Sequence, residues 1–171
     1  MMTLSGTYAV DKGMALFPKK IGGKYAMLGR FDSENLYLMY SDDIRSWNDA
    51  KKILIPMNPW EYIKIGNCGS PIDTKEGWIL LTHGVGPMRK YCIGVALLNR
   101  DDPSKVIARL KDPLISPTER EREGYVPNVV YSCGSILLNE KLIIPYASAD
   151  SVSSIAVISL NELLNKLLNR K

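Results

Sequence analysis

The stretch WILLTHGVGPMRKYCIGVALL, residues 78–98, carries two apolar runs, Trp78–Thr82 and Tyr91–Leu98, on either side of a segment holding Gly84, Gly86 and Pro87. Short runs rich in aromatic and branched side chains, cut by turn residues, read as neighbouring strands rather than helix. The same texture recurs outward from this pair at Lys24–Arg30, Leu36–Tyr40, Asn128–Cys133, Leu142–Ala147 and Ser154–Ser159. Turn-forming residues separate the runs: Gly22-Gly23, Asp42-Asp43, Asp73–Gly77, Asp101-Asp102-Pro103 and Asn139-Glu140-Lys141. Only the tail differs. Leucines at 160, 163, 164, 167 and 168 follow helical spacing, so Leu160–Leu168 is expected to be a helix with one docked face. The fold class predicted is all-β with a short C-terminal helix.

A weak internal repeat runs through the strands. Leu16-Phe17-Pro18 leads to KYAMLGR and LYLMYSDD, Ser70-Pro71-Ile72 to WILLTHG and YCIGVALL, and Asn128-Val129-Val130 to LIIPYASAD and SIAVISL. A period of about 50 to 60 residues is near that of a four-stranded propeller blade. A β-sandwich also repeats short strands, and spacing alone does not separate the two. Three blades do not close a ring, and an open stack leaves faces and strand edges to be covered by another copy or a partner chain.

Composition bounds the rest. The chain has 171 residues, 46% of them hydrophobic, with 22 basic and 18 acidic side chains and a net charge of +4. That suits one domain, 1–171, with a full core. The charges are spread out, with no basic block for a nucleic-acid partner and no apolar run of about 20 residues for a membrane. The N-terminus lacks the apolar core of a signal peptide, so a cytoplasmic location is expected. Three cysteines (Cys68, Cys92, Cys133) at wide spacing and a single histidine argue against a disulfide framework or a zinc site, so no metal is expected.

Candidate chemistry sits at strand ends. His83 closes the run WILLT, where a histidine serves either as a phosphate or substrate ligand or as a capped surface residue. The following Gly84-Val85-Gly86-Pro87 reads as a tight loop admitting a ligand to the backbone. Lys12, Arg30 and Arg89-Lys90 are cations that converge on one anion or remain solvated at the rim. Asp150 follows Tyr146-Ala-Ser-Ala at the place in the third repeat that matches His83 in the second, so both would face one axial mouth. Thr118–Glu123 (TERERE) reads as a solvated loop. Trp47, Trp60 and Trp78 suit either sugar stacking or the core.

Taken in order, DKGMALFPKKIGGKY (11–25) with Arg30, Ile65-Gly66, Gly77-Trp78, Thr82–Val85, Tyr91 through Ile107, Glu123–Val130, Cys133-Gly134 and Tyr146–Asp150 resemble glycoside hydrolase family 130. That family comprises β-mannoside phosphorylases and β-1,2-mannosidases. The resemblance implies a five-bladed β-propeller of about twice this length, of which this chain matches about three C-terminal blades. It implies inverting transfer of a mannosyl unit to phosphate or water, with no organic cofactor and inorganic phosphate as co-substrate. It assigns phosphate binding to Lys12, His83 and Tyr91, and substrate binding to Asp150 and, with a less defined role, Arg30. The general-acid aspartate and an arginine of the phosphate site fall upstream, in blades this chain does not match. The chain alone is therefore expected to have little turnover. A hydrolytic base remains open among Glu119, Glu121 and Glu123. The alternatives are one half of a two-chain enzyme and a non-catalytic carbohydrate- or phosphate-binding remnant, either as a homo-oligomer or with a partner chain.

Overall fold

A computed structural model describes residues 1–170. Its strands fall into three antiparallel sheets in chain order. The first joins β1 (Ala15–Leu16), β2 (Tyr25–Gly29), β3 (Leu36–Ser41) and β4 (Ala50–Leu54) in that order. The second contains β5 (Lys64–Asn67), β6 (Ile72–Asp73), β7 (Trp78–Val85), β8 (Tyr91–Leu98) and β9 (Val106–Arg109). Here β5 and β6 share one edge of β7, and β8 then β9 follow on the other. The third contains β10 (Val130–Tyr131), β11 (Ile136–Leu138), β12 (Lys141–Ser148) and β13 (Val152–Ser159). β10 and β11 share one edge of β12, and β13 takes the other.

The expected repeat is therefore physical: β2, β7 and β12 are equivalent middle strands, followed by the hairpin partners β3, β8 and β13. The expected turns also form. Gly22 and Gly23 take φ +55° and +83° while Ile21 and Lys24 exchange backbone hydrogen bonds of 2.9 and 3.1 Å. Asn139 and Glu140, at φ 49° and 58°, join β11 to β12 in the same left-handed manner. One expected strand is shorter than its apolar run: Asn128–Cys133 contributes only Val130–Tyr131, because Asn128 stands at φ 62° and breaks the ladder.

The second sheet is buried on both faces, which explains its unbroken apolar runs. Trp78, Leu80, Ala96 and Leu98 pack against Leu28, Leu36 and Leu38 of the first sheet. The alternate residues Ile79, Leu81, Ile93, Val95 and Leu97 pack against Val130, Leu142 and Ile144 of the third. α1 (Leu160–Leu168) has the expected bounds and buries Leu160, Leu163, Leu164 and Leu167 in that second core. Ser159 caps it by accepting from the Glu162 N–H, and Asn169 ends it in the left-handed region. The outer face of the first sheet is covered by Trp47 and by Leu4, Tyr8, Ala9 and Met14. The outer face of the third is bare: Ile136, Leu138, Ile155 and Val157 are 53 to 68% exposed.

Trp47 and Trp78 are fully buried and are core residues rather than sugar platforms. Trp60 lies across β7 and β8, where side chains at Gly84 or Gly94 would collide with its ring, and its indole N–H donates to the Lys111 carbonyl at 2.9 Å. Gly84 thus makes room for Trp60 and not for a ligand. Cys68, Cys92 and Cys133 are free thiols. Among the described residues no helix is long and apolar enough to cross a membrane.

Candidate functional site

The three equivalent middle strands deliver polar residues at the same end of their sheets. Arg30 follows β2 directly, His83 lies near the end of β7, and Asp150 stands in the turn after β12. Arg30 and His83 meet. Arg30 Nη1 lies 3.0 Å from His83 Nε2, and both side chains are buried, at 5% and 4% exposure. A guanidinium only donates, so Nε2 accepts and the proton of neutral imidazole resides on Nδ1. Nδ1 in turn faces the Asn67 carbonyl at 3.2 Å, the acceptor this tautomer requires. Burial pushes the His83 pKa down to about 4; the Arg30 and Lys64 charges push the same way, and the Asn67 carbonyl opposes them. The ring is neutral at pH 7.

Local sequence makes this pairing possible. Gly66 is the register partner of His83 across the β5–β7 ladder, and its missing side chain leaves space for the imidazole and for Arg30. Gly13, at φ +86°, brings its backbone against Arg30 and Asn67. Arg30 makes no ion pair among the described residues; its Nε and the Asn67 Oδ1 are buried without partners. A buried cation with no carboxylate is costly, and an incoming anion would offset that cost.

Aromatic rings carry the cluster outward. His83 stacks on Tyr91 with centroids 6.1 Å apart and planes 15° from parallel, and meets Tyr131 edge-on at 5.1 Å. Lys64 Nζ sits 5.7 Å from the centre of the Tyr91 ring. Tyr91 and Tyr131 line a cleft of about 600 Å³ together with Arg89, Asn128 and Asp150. Asp150 is exposed at φ 49°, in the hairpin turn whose Ser151 N–H donates to the Ser148 carbonyl at 3.0 Å.

Arg30, His83 and Tyr91 thus form one contiguous cluster, and Asp150 shares the cleft with Tyr91. Lys12 is exposed, and its neighbour Gly13 lies against Arg30. Thr118–Glu123 folds into a short 3-10 turn over Glu119–Glu121. The Glu121 carboxylate accepts from Thr118 N–H and Oγ1 and from the Tyr146 hydroxyl, so it serves as a turn cap held below its ordinary pKa chiefly by the Thr118 backbone. Lys64, Asn67 and Tyr131 belong to the cluster and carry no mark in the sequence beyond flanking Ile65-Gly66 or lying in Asn128–Cys133. A lysine and an asparagine bracketing a glycine are visible there only once Gly66 is known to face His83.

Known proteins resemble the chain in both sequence and fold. Residues 4–169 match the glycoside hydrolase family 130 model, described as beta-1,4-mannooligosaccharide phosphorylase. The 1,2-beta-oligomannan phosphorylase of Thermoanaerobacter sp. (strain X514) is 42% identical over 155 residues, covering 90% of this chain and 52% of that protein. The beta-1,2-mannobiose phosphorylase of Listeria innocua is 33% identical over 165 residues, covering 92% of this chain and 46% of that protein. The solved Listeria enzyme, a complex with beta-1,2-mannobiose, superposes with a TM-score of 0.82 at 32% identity, over 91% of this chain and 46% of that one. The chain spans about half the length of the curated relatives it matches. Sequence and fold together make this chain a member of glycoside hydrolase family 130.

Proposed function

We infer that the three sheets are three blades of a five-bladed family-130 propeller, together one domain, and that the Arg30–His83 cluster is the phosphate side of a β-mannoside phosphorylase site. The observation that carries this reading is the buried Arg30 guanidinium, without an ion pair among the described residues, bonded to a His83 ring that stacks on Tyr91 at the cleft. A hydrolase needs a carboxylate here to activate water. Arg30 forms no ion pair here, and the nearby Asp11 carboxylate is taken up by the Ser33 hydroxyl, so the free cations suit a phosphate dianion.

In the reaction, a phosphate oxygen bonds to the anomeric carbon as the bond to the leaving oxygen breaks on the opposite face. Inversion of a β-mannoside gives α-mannose 1-phosphate. Arg30 and Lys64 hold the phosphate, Tyr91 flanks it, and neutral His83 fixes Arg30. Lys12 contributes at most from the rim. Asp150 holds the mannosyl hydroxyls across the cleft. The leaving oxygen takes its proton from a carboxylic acid in the part of the family fold that this chain does not span. The 42% identity to a 1,2-beta-oligomannan phosphorylase favours β-1,2-linked mannosides as substrate.

The test is release of mannose 1-phosphate from β-1,2-mannobiose, with and without phosphate. The chain alone should run at least about 10²-fold slower than an intact relative, the minimum contribution of a general acid. Phosphate-dependent turnover by the chain alone at a relative's rate would sink the dependence on an outside acid.

A further inference from the structure

Two buried polar atoms beside the cluster share one small space. Arg30 Nε and Asn67 Oδ1 make no hydrogen bond among the described residues, and both residues are only 5% exposed. A methyl group on Gly13 would stand 3.6 Å from Asn67 Oδ1 and 3.9 Å from Arg30 Nε, at ordinary contact distances. Room for one further heavy atom therefore exists, with a donor and an acceptor looking into it. Gly13 is exposed, so the space lies just under the molecular surface and not in the core. Buried polar atoms are nearly always paired, and this pair is left open on the same spot.

Neither atom can turn away. Asn67 Nδ2 donates to the Gly69 carbonyl at 3.4 Å. Reversing the amide would set its oxygen against that carbonyl and its nitrogen against the Arg30 N–H, like against like on both sides. His83 Nε2 holds the guanidinium at Nη1, 3.0 Å away, and the Asn67 main-chain carbonyl faces His83 Nδ1 at 3.2 Å. Asn67 thus reaches the cluster twice, through its backbone and through its side chain.

The two atoms define the chemistry of what fits between them. Nε–H only donates and Oδ1 only accepts, so the visiting atom must accept one hydrogen bond and give another. A hydroxyl oxygen does both; an oxygen of sulfate or of fully ionised phosphate cannot give. The acceptor is also neutral. An aspartate in its place would pair with Arg30 and repel an anion. The nearby Asp11 carboxylate is already engaged by the Ser33 hydroxyl. Inorganic phosphate keeps at least one proton at neutral pH, so it brings a hydroxyl and a negative charge together.

We propose that Asn67 is a specificity-determining residue that senses the proton on the attacking anion: the P–O–H of hydrogenphosphate donates to Asn67 Oδ1, and the same oxygen accepts from Arg30 Nε. The proposal rests on the phosphate reading above. It adds the residue that tells hydrogenphosphate from sulfate, an anion of the same shape and charge with no proton to give.

The experiment titrates the full chain at pH 7 and constant ionic strength with inorganic phosphate, arsenate, sulfate and mannose, following the His83 imidazole nitrogens by NMR. His83 is the single histidine and is bonded to Arg30, so its signal reports this place and registers weak binding. Phosphate and arsenate, which both carry a proton, should bind alike. Sulfate should bind at least about tenfold more weakly, the loss of one hydrogen bond to a buried polar group. Asn67→Ala should bring phosphate down to the level of sulfate, whereas a side chain that only supported the fold would lower both and keep their ratio. Asn67→Asp, of the same size, should weaken both anions by pairing with Arg30. The wild-type ratio decides even if a variant fails to fold. Equal binding of phosphate and sulfate by the wild-type chain, or an unchanged ratio in Asn67→Ala, overturns the proposal and leaves the phosphate reading in place. A response to mannose that Asn67→Ala removes overturns it in favour of a sugar hydroxyl. No response to any anion overturns the proposal and the phosphate reading together.

Discussion

Gly66 stands opposite His83 in the β5–β7 ladder, and a methyl group on it would fall 2.5 Å from His83 Cε1 and 3.0 Å from Arg30 Nη1. Gly66→Ala therefore pushes the imidazole and guanidinium apart. The expected cost is about 1–3 kcal/mol of stability, typical of overpacking, with loss of phosphate affinity. Urea unfolding and phosphate titration by calorimetry check both. An unchanged phosphate affinity would mean that the Arg30–His83 pair does not hold the anion.

His83 also predicts a pH dependence with a definite sign. Its folded pKa of about 4 lies below the unfolded value of 6.5, so between those limits the unfolded chain binds the extra proton. Stability is unaffected above pH 6.5, falls as pH drops, and is lower by about 3 kcal/mol once both values are passed. His83→Gln should flatten this segment of the stability–pH curve. Because the chain has one histidine, nitrogen NMR of the imidazole reads the tautomer without ambiguity. Nδ1 should be protonated and Nε2 bare at pH 7; the reverse pattern contradicts the Arg30 hydrogen bond.

Glu61 is fully buried and accepts from the backbone N–H groups of Met57 and Asn58, from Asn58 Nδ2, and from Arg109 Nη2 at 2.5 Å. Its carboxylate pins the loop that leads into β5 and hence Lys64. Glu61→Ala strands Arg109 and three donors and should cost about 3–5 kcal/mol, the range for breaking a buried ion pair. A denaturation midpoint within error of wild type would show the loop is held otherwise.

Asp150 separates ligand binding from folding. Its left-handed backbone is one that asparagine and glycine adopt readily. Asp150→Asn and Asp150→Gly should both unfold within about 0.5 kcal/mol of the parent, the usual limit for a surface change. Both should weaken mannoside binding by the assembled protein at least about tenfold, the loss of one charged hydrogen bond. Unaltered binding would remove Asp150 from the sugar site.

Much of the fold was legible in the sequence because the middle strands and their hairpin partners are the most apolar segments. β8 and α1 begin and end where their patterns do. The edge strand β4 was not legible: it reads Ala-Lys-Lys-Ile-Leu, with both lysines exposed. β1, β6 and β10 were read as the short strand that opens each repeat, but at two residues each their bounds carry no period. The site was half legible. His83 and Asp150 were marked by matching places in the repeat, Arg30 by its strand end and Tyr91 by the family resemblance; Arg30 meets His83, His83 stacks on Tyr91, and Tyr91 and Asp150 line one cleft. Lys12 was marked by a local motif and lies exposed, whereas Lys64 and Asn67 enter only through the register that sets β5 against β7. Trp60 and Gly84 show the converse: a glycine beside a candidate ligand residue was serving an indole on the other side.

Each sheet brings residues to one connected cluster: Arg30 after the first, His83 and Tyr91 from the second, and Tyr131 from the third, with Asp150 across the cleft from Tyr91. No sheet carries a copy of the residues that the other two bring to the cluster. The sheets share a strand order, yet the polar residues at their ends differ. A chain in which one sheet is replaced by a copy of another is thus expected to keep the architecture and lose one side of the cluster.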